Sequence, residues 1–147
     1  MTLSQRLGRP LFAGIFVVGG LDAVRNPSSK VPKADTVVPR VLKPLGISAD
    51  TATVIRANGA VQIAAAGLLA TGIAPRLAAG TLLASLIPTT AAGHRFWEED
   101  ESGNRDAQRL QFMKNLAIMG GLIMAMSGPR KASRRQKSSA SRGGADG

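Results

Sequence analysis

Four long uncharged stretches alternate with polar stretches along this chain. They cover residues 10–21, 57–74, 77–93 and 115–129. Together with its flanking turns, each approaches the ~20 residues that a helix rising ~1.5 Å per residue needs to cross a hydrocarbon core of ~30 Å. A soluble helical bundle would carry charged residues at helical spacing on its outer faces, and the three longest stretches have none. The pattern therefore predicts an all-α fold, a four-helix transmembrane bundle.

The spans are expected at about residues 8–25, 52–72, 75–93 and 106–127, within one membrane domain, 1–128. Arg6 and Arg9 precede the first apolar run, as in a signal peptide, but Leu21 stands where a cleavage site needs a small residue. We therefore expect a retained first span. Its small residues, such as Gly19 and Gly20, favour close packing of helices in lipid.

Punctuating residues mark the ends of the later spans. Ser48 or Asp50 is expected to cap the second span and Gly72 to stop it, and Asn104 is expected to cap the fourth. Pro88 lies inside the third span and predicts a kink. Its freed carbonyl would be met by a neighbouring helix or by the hydroxyls of the two threonines that follow it.

Two polar segments lie outside the spans: the connection between the first and second spans, and the tail after the fourth. In the connection 26–50, apolar residues recur at helical spacing between Lys33, Arg40 and Lys43, which fits a short amphipathic helix on the headgroups, kinked at Pro39. An ordinary packed connector fits that pattern equally well. Residues 129–147 are expected to form a disordered basic tail.

Composition removes several classes of function. The net charge of +10 suggests nucleic acid, but six Lys/Arg against one Asp lie from Arg130 onward, and aromatic residues for stacking on bases are scarce. We therefore predict no nucleic-acid partner. The chain has no Cys, which excludes disulfides, thiolate nucleophiles and cysteinyl metal sites. A single histidine beside the acidic run 98–101 does not make a metal or calcium site.

Antiparallel spans would gather the polar residues at one membrane face. The end of the first and third spans and the start of the second and fourth all lie there. The candidates for a ligand or polar site at this face are Asp22, Arg25, Arg56, Asn58, Gln62, His94, Trp97, Lys114 and Asn115.

The candidates differ in the role that their side chains suggest. Asp22 is expected to pair with Arg25 or Arg56, and to join Asn58 and Gln62 in an internal polar network, since short polar side chains in a span must find partners within the protein. Long cationic side chains such as Arg25 and Lys114 suit snorkelling to the headgroups. Trp97 fits an interfacial aromatic belt. No catalytic residue is predicted.

The orientation is poorly determined by charge, because the two sides would carry nine and ten Lys/Arg. The dense tail favours a cytoplasmic carboxyl end, and hence two cytoplasmic termini.

Five short motifs stand out in this sequence. They are Arg9, Pro10 and Leu11 before Gly19, Gly20 and Asp22; Arg25, Asn26 and Pro27; Asn58, Gly59 and Ala60; His94, Phe96 and Trp97; and Gln111, Phe112, Lys114, Asn115, Leu116 and Ala117 before Gly120 and Gly121. Together they resemble the DoxX family of bacterial integral membrane proteins. Arg95 stands where the family pattern has Pro. The resemblance implies a four-helix protein of the bacterial plasma membrane, associated in some relatives with thiosulfate:quinone oxidoreductase or with oxidative-stress complexes.

Three functions remain open from the sequence. The first is an accessory or binding subunit of a redox or stress-response system, in which Arg56 and His94 donate hydrogen bonds to a ligand such as a quinone and Trp97 forms a wall of the site. The second is a quinone-linked oxidoreductase subunit. The third, a transporter or channel, would need polar residues at the membrane midplane, where these spans are apolar. Redox-enzyme subunits, a second copy of the chain and lipid are the candidate partners.

Overall fold

The structure is a computed structural model that describes residues 3–127. The predicted tail, 129–147, lies outside the described residues. The helices are α1 (Leu3–Arg25), α2 (Val31–Ala34), α3 (Val38–Leu42), α4 (Thr51–Thr71), α5 (Pro75–Gly93) and α6 (Ser102–Ser127), with short 3₁₀ turns at Ser28–Lys30, Lys43–Leu45 and Phe96–Glu98. The described part of the chain contains no strand, which confirms the predicted all-α class.

Helix α4 has the cap and the stop that the sequence predicts. The Asp50 carboxylate accepts a hydrogen bond from the Thr53 amide at 3.0 Å, which satisfies one of the free donors of the first turn. At the other end Gly72 adopts φ 70°, a left-handed conformation that glycine takes without a steric cost. Its amide bonds to the carbonyls of Leu68 and Leu69, and α5 starts three residues later at Pro75. Consequently α4 and α5 form a tight hairpin.

Successive long helices pack antiparallel, as three sets of contacts demonstrate. Gly20 and Ala23 of α1 meet Ile63 and Gly59 of α4; Asn58 and Gln62 of α4 bond to Thr89 and Ser85 of α5; Thr90 and Gly80 of α5 meet Asn115 and Met126 of α6. In each set the residue number rises on one helix as it falls on the other. One end of the bundle therefore holds the ends of α1 and α5 and the starts of α4 and α6. We call it the polar end.

All four long helices contribute to a core made largely of small residues. Ala13 of α1, Ala66 of α4, Ala79 of α5 and Leu122 of α6 are buried in one cluster. The outer surface is apolar as well, with Leu11 80% and Met124 76% exposed. Water-soluble monomers rarely expose such extended apolar surface. Three helical segments, Arg6–Arg25, Thr51–Thr71 and Ser102–Ser127, are long and apolar enough to cross a membrane. Helix α5, with its prolines and hydroxyl groups, is not among them.

The connection between α1 and α4 departs from its predicted single helix. Pro39 occupies the first turn of α3 and starts that helix instead of kinking a longer one, because its missing amide hydrogen would be unbonded there anyway. Ala34 of α2 is buried with Ala23 and Ile55, so the connection is packed on the ends of α1 and α4. Helical turns and a packed connector therefore coexist in this segment, and its location on the headgroups stays a prediction.

Two further expectations need correction. Helix α6 begins at Ser102, ahead of the expected cap Asn104. The side-chain nitrogen Nδ2 of Asn104 instead donates to the Glu101 carboxylate at 3.2 Å. Helix α5 contains Pro88 inside it, as expected, and the kink stays a prediction. The hydroxyls of Thr89 and Thr90 do bond to backbone carbonyls, but to those four residues before them and not to the carbonyl that Pro88 leaves free.

Candidate functional site

An internal network of side-chain hydrogen bonds joins α4 to α5 near the polar end. Gln62 Nε2 donates to Ser85 Oγ at 2.8 Å, and Ser85 Oγ donates to Asn58 Oδ1 at 2.7 Å. Asn58 Nδ2 reaches Thr89 Oγ1 at 3.4 Å, and that hydroxyl donates back to the Ser85 carbonyl at 2.7 Å. Each group thus donates to the next in one direction. The predicted internal role of Asn58 and Gln62 matches this geometry.

A second internal chain joins α6 to α5. Asn115 Nδ2 donates to Thr90 Oγ1 at 3.0 Å, and Thr90 Oγ1 donates to the Leu86 carbonyl at 2.8 Å. Both side chains are buried. Within residues 3–127, no buried side-chain nitrogen or oxygen lacks a hydrogen-bond partner. The two chains of hydrogen bonds therefore join α4 and α6 to α5.

Asp22 is not part of these networks. Its carboxylate forms an ion pair with Lys30 and accepts a hydrogen bond from Asn26 Nδ2 at 3.0 Å. The prediction that Asp22 pairs with Arg25 or Arg56 is therefore wrong, as is its predicted place in the internal network. The physical reason is that α1 faces α4 through Gly20 and Ala23, which leaves Asp22 exposed, and the chain after α1 turns back over it.

The remaining cationic candidates lie on the outside of the bundle. Arg25, Arg56 and Lys114 are all exposed. Arg25 ends α1 and Arg56 lies in the second turn of α4, so both are at the polar end. Their long side chains lie where headgroup contact is expected.

His94 and Trp97 lie where α5 leads into α6. His94 Nδ1 is 2.8 Å from Gln108 Oε1, a contact that requires a proton on Nδ1 because the amide oxygen can only accept. Phe96 packs edge to face with Trp97 and with Phe112, with ring centroids 5.1 and 5.5 Å apart. Gln108 and Phe112 are four residues apart on α6 and share a face. The indole of Trp97 is 56% exposed.

Arg95 ties this turn to the connection between α1 and α4. Its guanidinium donates to the Ala91 carbonyl at 2.9 Å, to both oxygens of Glu98 at 3.2 Å, and to Thr36 Oγ1. The side chain is only 17% exposed. Beside it, Lys33, Thr36 and Glu99 line a shallow cleft of about 220 Å³. At the position where Pro is expected, Arg95 thus holds the turn through several directional hydrogen bonds.

The nine candidates do not converge on one site. Asn58, Gln62 and Asn115 belong to internal networks, whereas Asp22, Arg25, Arg56 and Lys114 are exposed. His94 and Trp97 form a separate set at the start of α6. In the described part of the chain, no group of three or more His, Asp or Glu is placed to hold a metal ion.

Sequence reasoning missed the serine at the centre of the α4–α5 network and the glutamine that binds His94. A signal was present for Ser85. Asn58 and Gln62 precede the middle of the turn between Gly72 and Pro75 by the same number of residues as Thr89 and Ser85 follow it. In a tight antiparallel hairpin such positions face each other. No comparable pattern pointed to Gln108.

Comparison with family models, with curated proteins and with solved structures gave no match for this chain.

Proposed function

We propose that this chain is a four-span integral membrane protein of the DoxX type that serves as a binding subunit of a membrane-associated redox or stress-response system. The apolar outer surface of α1, α4 and α6 supports the membrane location. The sequence motifs support the family, and the family supports the redox association.

The fourth crossing is proposed for α5 on the strength of its packing. Its 19 residues extend over roughly 28 Å at ~1.5 Å per residue, close to the thickness of a hydrocarbon core. It leaves α4 through a tight turn and remains in contact with it as far as Thr89, which is opposite Asn58. If α4 crosses the bilayer, α5 covers the same depth. The hydroxyls of Ser85, Thr89 and Thr90, which lower its hydropathy, are bonded within the protein.

The aromatic cluster beside His94 is the feature that supports binding. The amides of the internal networks already have partners, so a ligand or a partner protein would have to break bonds between helices to reach them. The indole of Trp97 is exposed by contrast, and Phe96 and Phe112 hold it from two sides. With Nδ1 of His94 held by Gln108, its other ring nitrogen is the polar group available beside an aromatic wall. In the neutral ring that nitrogen carries no proton and can only accept a hydrogen bond, so the combination suits the hydroxyl of a quinone in its reduced, quinol form.

Purification in mild detergent, followed by extraction and chromatography of bound quinone, tests this proposal. We expect quinone to co-purify, and His94→Ala and Trp97→Ala each to lower the amount retained by about tenfold, the effect of losing ~1.4 kcal/mol of binding free energy. Arg109→Gln, on the exposed surface of α6, serves as the control and should retain the wild-type amount. Equal retention by all variants, or no quinone in the wild type, would contradict the proposed site.

A further inference from the structure

The polar end of the bundle carries two segments of opposite net charge. Residues 25–56, which run from the end of α1 into α4, contain six Lys/Arg and two Asp. Residues 94–106, between α5 and the second turn of α6, contain two Arg and five Asp/Glu. Because both segments lie at the same end, one membrane face would present a basic side, residues 25–56, and an acidic side, residues 94–106, which adjoin at the cleft that Lys33 and Glu99 line.

Within the basic side, part of the charge is used by the fold. Lys30 pairs with Asp22, and the Asp50 carboxylate is held by the first turn of α4. Lys33, Arg40 and Lys43 are exposed. Arg40 and Lys43 are three residues apart in consecutive helical turns, so they point to a similar side of the connection.

The same connection exposes aliphatic side chains. Val38 packs inward against the buried Ala34 cluster, whereas Val41, Leu45 and Ile47 are 47%, 65% and 50% exposed. Val41 and Leu45 are four residues apart and lie on one side. A surface that combines exposed aliphatic groups with lysine and arginine matches the boundary between acyl chains and anionic headgroups.

We propose that the connection 31–47 binds anionic phospholipid headgroups of the bilayer that the long helices cross. Val41, Leu45 and Ile47 enter the acyl boundary, and Lys33, Arg40 and Lys43 contact lipid phosphates. Charge complementarity favours anionic lipid, and the connection is continuous with α1 and α4, which holds it at the depth of the headgroups. The inference rests on the proposed membrane location, and it assigns a lipid class to one side of the polar end.

Quenching of tryptophan fluorescence by brominated lipids tests the assignment, because Trp97 is the only tryptophan. The wild type reports on the acidic side, and Leu45→Trp in a Trp97→Phe background reports on the basic side. Both proteins are reconstituted in mixtures of phosphatidylcholine and phosphatidylglycerol in which either lipid carries bromine. Each basic residue near an anionic surface favours binding by about fivefold, so we expect phosphatidylglycerol to be preferred at least about fivefold at position 45. At Trp97 the preference should be absent or reversed.

Replacement of Lys33, Arg40 and Lys43 by glutamine should remove the preference at position 45, whereas Arg109→Gln with Lys114→Gln should leave it unchanged. Added salt should weaken it, since exposed charges are screened within ~8 Å at physiological ionic strength. Equal quenching by the two lipids at position 45 would overturn the lipid assignment while leaving the membrane location intact. If neither brominated lipid quenches either tryptophan, the membrane location itself fails.

Discussion

Helices α1 and α4 approach each other closely at two glycines, Gly20 and Gly59. A Cβ atom on Gly59 would lie 2.7 Å from the Gly20 carbonyl oxygen and 3.0 Å from the Ala23 Cβ, and a Cβ on Gly20 would lie 2.7 Å from the Gly59 carbonyl oxygen. Contact with a backbone atom at that distance cannot be relieved by a side-chain rotation. Glycine is therefore required at both positions for α1 and α4 to pack as they do. The small residues noted in the first span have this function at Gly20.

Substitution of Gly59 tests the helix contact at the scale of one methyl group. We expect Gly59→Ala to lower the free energy of unfolding in detergent by about 1–3 kcal/mol, the usual cost of overpacking. Gly67→Ala is a matched control in the same helix, because a Cβ there meets nothing within 4 Å. It should leave stability unchanged or raise it slightly, since alanine favours helix over glycine. Denaturant titration followed by circular dichroism measures both, and equal stabilities would refute the close contact.

Residue identities alone predicted part of the polar chemistry. Asn58 and Gln62 were expected inside because short amides in an apolar helix need partners within the protein, and they are bonded there. Asp22 satisfied the same description, yet it is exposed. Asp22 is exposed because it lies away from the face of α1 that meets Gly59. Helix packing decides which face that is, and no single residue reveals it. The hydroxyl of Ser85 was missed because serine is common in helices with no partner beyond its own backbone.

At the scale of elements, the bonds of Arg95 hold the connection against the end of α5. Pro39 and the short length of α2 and α3 give the connection little helical stability of its own, since helices of a few residues do not form without tertiary contacts. Within α2 and α3 the buried contribution is confined to Ala34. The guanidinium contact with Thr36 adds a polar attachment far along the chain from Arg95. The helical spacing of this segment could be predicted, but the break between α2 and α3 depended on where Pro39 fell within a turn.

Loss of the guanidinium should loosen the connection. Hydrogen bonds to a charged group contribute about 1.5–3 kcal/mol, so Arg95→Ala should raise the rate of tryptic cleavage after Lys33 and Arg40 by about tenfold or more, provided that opening precedes cleavage. Thr36→Val, which removes only one of the bonds, should produce a smaller rise. Arg109→Ala is the control for loss of an exposed arginine. Cleavage at the wild-type rate in Arg95→Ala would mean that the packing of Ala34 alone holds the segment.

At the scale of the whole molecule, the alternation of apolar and polar stretches was enough to predict the helical class and the antiparallel order. Ends of the long helices agree with the predicted spans to within a few residues, except that α1 and α6 start earlier. The gathering of polar residues at one end also follows from that order. Their division into internal networks, an outer ion pair and an aromatic cluster does not, because it depends on the rotation of each helix about its axis. Periodicity is weak for that purpose in helices that are apolar on every side.

The number of crossings is testable because the chain contains no cysteine. Single cysteines can be placed at Ser48 and Ser102, both at the polar end, and at Ile73, in the turn between α4 and α5; all three positions are exposed. With four crossings, a membrane-impermeant maleimide applied to intact cells labels positions 48 and 102 alike and position 73 oppositely, whichever way the protein is inserted. If α5 does not cross, position 102 shares the behaviour of position 73. Labelling after membrane disruption confirms that each cysteine is reactive, and the outcome decides whether α5 spans the same depth as α4.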